Sequence, residues 1–343
     1  MRRHAEPGEL LYLDAATVDE LCRTLDPLEV VTDSFLAVWA GEAAVAPEAA
    51  LRWTAPDGSP ARSLALPARY RDAYGCKLIN ACIGNVARGL PRAHGLVVLF
   101  DPETAAPMCI LEGGRISALR TAAASIVALR AVRDLAGVRR AAFLGCGRQA
   151  RTHAELLAPR ARFASVSVHD VEPSRAAAFA AELEALVGGA RVEVAATPEA
   201  AVRGADVTVA ATTTTTSYVP LEWLSPGSAF VNVSLDDATE ELLLGCEHLF
   251  VDDWALVSGD DTRLLGRLAH AGRVVGPGEE ARAGARRVDA EFAALVGGGY
   301  ERPISPLDRV VLNPFGMGVH DVALAARVHA EARERGSGVR LLR

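Results

Sequence analysis

An α/β protein with a doubly wound parallel sheet and a second, smaller α+β domain is what this 343-residue sequence predicts. Three observations predict it. The first is Gly145-Cys146-Gly147-Arg148-Gln149-Ala150, a G-x-G-x-x-A turn between an apolar run suited to a buried strand, Ala141 to Leu144, and a segment with apolar residues at helical spacing, Gln149 to Leu157. The second is another apolar strand, Ala164 to Val168, which leads to Asp170 roughly 20 residues past the turn. The third is the continued alternation of strands and helices, with strands near 191–195, 206–211, 228–234, 248–252 and 308–312.

The turn has a physical reading. Gly145 permits the sharp bend, Gly147 lets backbone approach a pyrophosphate, and Ala150 is small enough for the helix to pack closely on the strand. The helix N-terminus then offers free N–H groups and partial positive charge to phosphates. Asp170 stands where an acid holds the adenosine ribose hydroxyls. A glycine-rich turn can also join strand to helix without binding anything, but strand, turn, helix, strand and acid in this order make one βαβ unit of the Rossmann, dinucleotide-binding kind.

The elements before that unit follow in order. Thr17-Val-Asp-Glu20 and Asp26-Pro-Leu-Glu29 read as capping boxes, the second with proline at the first helical position. They predict helices over 18–25 and 27–40, the second stopping at Gly41. From Ala49 to Leu111 the pattern is β, with strands near 48–54, 61–66, 74–81, 95–100 and 107–111, and turns at Asp57-Gly58, Gly84-Asn85 and Asp101-Pro102. This predicts a mostly antiparallel sheet. A long alanine-rich helix, Gly114 to Leu135, leads into the glycine turn, and a last helix spans roughly 319–335.

Composition excludes several classes. Half of the residues are hydrophobic, enough for a sizeable core, and a net charge of −7 without a basic run argues against a nucleic-acid surface or an anionic membrane patch. The N-terminus lacks the apolar core of a signal peptide and no run approaches the ~20 residues of a membrane span, which predicts a cytoplasmic protein. Six cysteines without a C-x-x-C pair suggest neither a redox pair nor a metal site.

Among 36 basic residues Lys77 is the one lysine. Lysine differs from arginine chiefly in being able to lose its proton when buried. Composition alone leaves a leftover surface lysine and a functional ammonium equally open. Arg52 falls in a strand of the first domain and Arg120 on the helix entering the second; both suit a small carboxylate substrate. Asp237 follows the strand Phe230 to Ser234, where a carboxylate can serve as general base if burial tunes it. The candidate nucleotide residues are Gly145, Gly147, Arg148, Gln149, Ala150 and Asp170, joined by Thr212, Thr213, Ser234, Asn313 and Gly316 at or beyond the ends of later strands. For the run Thr212 to Thr216, hydroxyls bonding a cofactor and a plain β-branched loop both remain open.

Five segments together carry a family resemblance: Tyr74 to Asn80, Ile116 to Ser125 with its Arg-Thr-Ala-Ala, the turn Gly145 to Ala150, Val231 to Asp237, and Phe315 to Asp321. Across nearly its whole length the chain resembles the ornithine cyclodeaminase/mu-crystallin family. Gly84 to Ala93, Leu111 to Ala118 and Asn313 to Met317 are similar to the branch that makes 2,3-diaminopropionate for siderophores and peptide antibiotics, oxidising N-(1-amino-1-carboxy-2-ethyl)glutamate with NAD to 2,3-diaminopropionate and 2-oxoglutarate. The resemblance implies that Arg52, Lys77 and Arg120 hold a substrate carboxylate and that Asp237 is the catalytic carboxylate. It also implies a discontinuous substrate-binding and dimerisation domain, 1–118 with 314–343, around an NAD-binding domain, 119–313, and a homodimer.

Two departures bear on the substrate. Ornithine-cyclising members carry a glutamate three residues before the proline equivalent to Pro67, and Leu64 stands there, which disfavours ornithine. The diaminopropionate branch usually has an aromatic residue after the lysine and a Ser-Phe-Pro stretch beyond; this chain has Leu78 and Ala81-Cys-Ile-Gly84. The same residues also suit a cyclodeaminase, an amino-acid or imine reductase, or a nucleotide-dependent binding protein of the mu-crystallin kind. Because Asp170 would repel a 2′-phosphate and Arg175 lies a turn further on, the expected cofactor is NAD rather than NADP.

Overall fold

A computed structural model describes residues 9–280 and 283–342. The segment Met1 to Gly8, part of the stretch read for a targeting signal, lies outside them. The described chain forms two units, divided at Arg120/Thr121 and Gly316/Met317.

The first unit is built on an eight-stranded sheet. Its strands run Val339–Leu342, Glu9–Leu13, Pro107–Glu112, Ala93–Phe100, Ala73–Cys82, Pro60–Tyr70 and Ala43–Val45, with Ala49–Thr54 also paired to Pro60–Tyr70. All pairs are antiparallel except Glu9–Leu13 with Pro107–Glu112. The expected antiparallel sheet is present, and three strands are added to it: Glu9–Leu13, Ala43–Val45 and Val339–Leu342. The last of these is exposed at all four residues, so no alternation of polar and apolar positions marks it.

The helix Gly318–Arg335 packs on the strands at the middle of this sheet and on the helix Pro27–Trp39. Its approach is close: a Cβ on Gly318 would stand 2.9 Å from the Leu66 carbonyl oxygen. Asp26 caps the helix Pro27–Trp39 as expected, accepting from the Leu28 N–H at 2.9 Å. The first helix is corrected. It runs Ala15–Cys22, and its cap is Asp14 rather than Thr17, because the Asp14 carboxylate takes the Thr17 N–H at 2.8 Å.

The second unit holds the doubly wound sheet. Its eight strands, all parallel, stand in the order Arg191–Val194, Ser165–His169, Arg140–Leu144, Val207–Ala210, Ala229–Asn232, Val310–Asn313, His248–Val251 and Ala290–Glu291. Strand order reverses between Arg140–Leu144 and Val207–Ala210, so ligands are expected beyond the carboxyl ends of these two strands. Most central strands are buried on both faces, which explains their unbroken apolar runs. The long helix is Gly113–Val132 and stops before Leu135, where Asp134 caps a separate short turn, Leu135–Gly137. No helix among the described residues is long and apolar enough to cross a membrane.

Candidate active site

In the first unit the lone lysine is a core residue. Lys77 lies in the strand Ala73–Cys82, opposite Leu66 on one side and Val97 on the other, and is 1% exposed. Its Nζ donates to Ser117 Oγ at 2.8 Å and lies 2.9 Å from Asp321 Oδ1. Arg120 stands one helical turn after Ser117, with Nε 3.1 Å from Asp321 Oδ2. Asp321 is wholly buried in the first turn of the helix Gly318–Arg335, where the helix dipole favours its charge. Burial is the main cause that lowers Lys77 to about 8; the Arg120 charge adds to it and Asp321 opposes it.

Lys77 and Arg120 are therefore brought together, and Arg52 is not part of their cluster. Arg52 lies opposite Arg62 in a strand exposed at all six residues, and makes no ion pair among the described residues. Sequence reasoning missed Ser117 and Asp321 as site residues. The available signal was an acid, Asp321, beside His320 at the start of an otherwise apolar helical stretch.

In the second unit the glycine turn sits at the point where strand order reverses. Gly145 has φ +80°, and a Cβ there would stand 2.7 Å from the Ala211 carbonyl oxygen of the neighbouring strand's end, so only glycine fits. Gly147 caps the helix Arg148–Leu157 without a side-chain hydrogen bond and has open space around it, leaving the first N–H groups of the helix for an anion. Arg148 is exposed, Ala150 is fully buried, and Gln149 Oε1 is buried without a hydrogen-bond partner. Asp170 is half-buried and also braces the turn from the next strand, where its Oδ2 accepts from the Cys146 N–H at 2.7 Å and its Oδ1 from the Glu172 N–H at 2.9 Å. These residues fit a dinucleotide: a glycine bend, an uncapped helix N-terminus and an acid beside them.

Asp237 lies beyond the carboxyl end of the strand Ala229–Asn232 and is fully buried. Three hydroxyls donate to its carboxylate: Thr212 to Oδ1 at 2.7 Å, Tyr218 to Oδ1 at 3.0 Å, and Ser234 to Oδ2. Ser234 Oγ also takes the Thr212 N–H at 3.1 Å, so the two loops are laced together. Between Ser234 and Asp237 the chain turns through Leu235, a non-glycine residue at φ +75°. Burial pushes Asp237 up to about 6 against the opposing hydrogen bonds from Thr212 and Tyr218. Its neighbour Asp236 instead pairs with Arg263 at 2.6 Å and takes the Leu264 N–H at 3.0 Å.

The remaining nucleotide candidates occupy the same carboxyl edge. Thr213 is exposed. Asn313 is buried and its Oδ1 accepts from Asn232 Nδ2 at 2.8 Å, while Asn232 Oδ1 has no partner. Gly316, at φ +116°, donates its N–H to Asp252 at 2.5 Å, and Phe315 does so at 2.9 Å. Asp252 and Tyr218 escaped sequence reading, since each acts on a loop remote in the chain.

A buried carboxylate near pKa 6 can take a proton at neutral pH, and a buried ammonium and guanidinium can hold a carboxylate. The model of the ornithine cyclodeaminase/mu-crystallin family matches residues 9–336. The crystal structure of CmnK superposes with a TM-score of 0.87 at 38% identity, covering 97% of this chain and 98% of that one. The N-((2S)-2-amino-2-carboxyethyl)-L-glutamate dehydrogenase of Staphylococcus aureus is 25% identical over 287 residues, 82% of each chain. An archaeal alanine dehydrogenase dimer with bound NAD has the same fold, with a TM-score of 0.82 at 23% identity over 97% of this chain and 99% of that one.

Proposed function

The chain belongs to the ornithine cyclodeaminase/mu-crystallin family, and we propose that it is an NAD-dependent oxidoreductase that oxidises the C–N bond of an amino-acid conjugate, N-(1-amino-1-carboxy-2-ethyl)glutamate. The products are 2,3-diaminopropionate and 2-oxoglutarate. The observation that carries the reading is Asp237: a fully buried carboxylate held by three hydroxyls beside the glycine turn and raised to about 6. An ordinary surface aspartate would be too weak a base; this one is matched to neutral pH.

NAD, when bound, would supply the hydride acceptor for oxidation at the α-carbon of the glutamate part. The glycine turn and the uncapped helix N-terminus would hold its pyrophosphate, and Asp170 would hold the ribose. Asp237 takes the proton of the secondary amine as the C=N bond forms. Arg120 and Lys77 bind the adjacent carboxylate, and the Lys77 ammonium also helps water to add to the imine carbon. Collapse of that adduct breaks the C–N bond and frees the primary amine and the keto acid.

Further observations support the finer points. Leu64, where ornithine-cyclising relatives have a glutamate, is a buried apolar residue, so nothing there receives a distal amine. Leu51 and Trp53 are exposed on the strand Ala49–Thr54, apolar surface that supports a homodimer through this sheet. Arg52 lies on the same strand, and its role toward a substrate carboxylate belongs to the proposal, as does a cytoplasmic location. Incubation with NAD and a panel holding the conjugate, alanine, proline, lysine and ornithine tests the reading. Absorbance at the NADH band should rise with the conjugate; turnover of alanine, proline or ornithine instead would overturn the substrate.

A further inference from the structure

We propose that Asp321 is a positioning residue for substrate binding: as the shared counter-ion of Lys77 and Arg120 it keeps both charged and leaves this cluster with one net positive charge, so that it takes a single carboxylate. The inference rests on the reading of Lys77 and Arg120 as carboxylate-binding groups.

Geometry carries it. The three ions come from three elements of one unit: the strand Ala73–Cys82, the helix Gly113–Val132 and the helix Gly318–Arg335. Asp321 Oδ1 faces Lys77 at 2.9 Å and Oδ2 faces Arg120 at 3.1 Å. Both are ion-pair contacts at hydrogen-bonding distance, so one carboxylate serves two cations and offsets one of their two charges. Lys77 spends one proton on Ser117 and turns a second to Asp321, which leaves the third for an entering carboxylate. Without Asp321, two cations would face each other in a site almost closed to water, which is costly enough that the lysine would shed its proton.

The other titratable group at this place is His320, the residue beside Asp321. Its Nδ1 lies 2.7 Å from Ser34 Oγ, and the Ser34 hydroxyl is donated to the Val31 carbonyl at 2.8 Å. The serine therefore accepts from Nδ1–H, which leaves Nε2 unprotonated in the neutral ring. Burial, and next the Arg120 charge, hold this histidine down at about 3, so it adds no charge at neutral pH. The count of two cations and one anion stands.

The sole lysine makes the test direct. Protein grown on ¹³C-lysine carries one labelled side chain, and its Cε shift can be followed across pH without any substrate. In the wild type the midpoint should lie near 8, where burial and Arg120 outweigh Asp321. Asp321→Asn should lower the midpoint by about one unit or more, and Arg120→Gln should raise it. A midpoint in Asp321→Asn equal to or above wild type would overturn the proposal. If that variant does not fold, as judged by NADH binding and a cooperative melt, Arg120→Gln decides: failure to raise the midpoint is equally fatal. None of these readings depends on turnover, so failure of the conjugate as substrate would leave them standing.

Discussion

The hydroxyl of Thr212 lies 2.7 Å from Oδ1 of Asp237, so the first residue of the threonine run is bound to the buried carboxylate of the next loop. That contact favours the ionised form and partly offsets the burial that raises Asp237 to about 6. Activity that needs ionised Asp237 should fall as pH drops through about 6. Thr212→Val, which keeps the shape and removes the donor, should move this acid limb of kcat/KM upward by about half a unit to one unit. A pH profile with an unmoved limb would detach Asp237 from the rate.

Lys77 occupies a slot with Ser117, Arg120 and Asp321 around it, and arginine is both broader and unable to release its proton. Lys77→Arg and the neutral Lys77→Met should both bind NADH and lose about 100-fold or more in kcat, the lower end for removing a proton-transfer group. Stability should move the other way for Lys77→Met. The lysine is lowered from 10.5 to about 8 in the folded chain, so its protonated form costs stability below about pH 8, and the cost fades as pH rises toward 10.5. Thermal melts at pH 7 should therefore show Lys77→Met no less stable than wild type. Activity of Lys77→Arg within a few-fold of wild type would reduce Lys77 to an electrostatic anchor.

Acid should destabilise this protein earlier than its carboxylates alone require. His153 and His320 are fully buried and held neutral by burial, at about 4 and about 3 against 6.5 when unfolded. Unfolding near pH 5 thus takes up about two protons there, while Asp237, raised in the fold to about 6, gives back about one, so these three groups alone give a slope of about 1.4 kcal/mol lost per pH unit. His329, lowered to about 4, acts in the same sense. Urea denaturation at pH 7, 6 and 5 measures this, and a flat profile would contradict the buried neutral state of the two rings.

Asp170 holds the Cys146 N–H at the glycine turn, and in the proposed function its charge would repel a 2′-phosphate on the ribose. NAD should be preferred over NADP, and Asp170→Asn, which keeps an acceptor but drops the charge, should narrow that preference by about tenfold or more. Steady-state kinetics with both cofactors decide it; equal wild-type use of NADP would place the ribose elsewhere.

What could be read from sequence was local. The turn at Gly145 to Ala150 is legible because one short segment holds the bend, the close approach and the helix start. The helix at Pro27 is legible because Asp26 and Pro27 are adjacent. Asp321 could not be found in this way: its meaning comes from a helix laid across a strand at Lys77, and nothing near Asp321 in the chain is its partner. The position of Val310–Asn313 between Ala229–Asn232 and His248–Val251 is likewise a matter of chain path, to which periodicity is blind. The first helix cap was misread because Asp14 and Thr17 both suit the role, and only backbone geometry shows that Asp14 accepts the hydrogen bond.

The central claim, oxidation at the carbon between amine and carboxylate, is tested most directly with N-(1-amino-1-carboxy-2-ethyl)glutamate deuterated at the α-carbon of its glutamate part. Incubated with NAD, the protein should yield deuterated NADH, 2-oxoglutarate and 2,3-diaminopropionate in equal amounts, and Asp237→Asn should yield none of the three at a measurable rate. Unlabelled NADH, or consumption of the conjugate without matching 2-oxoglutarate, would contradict the account.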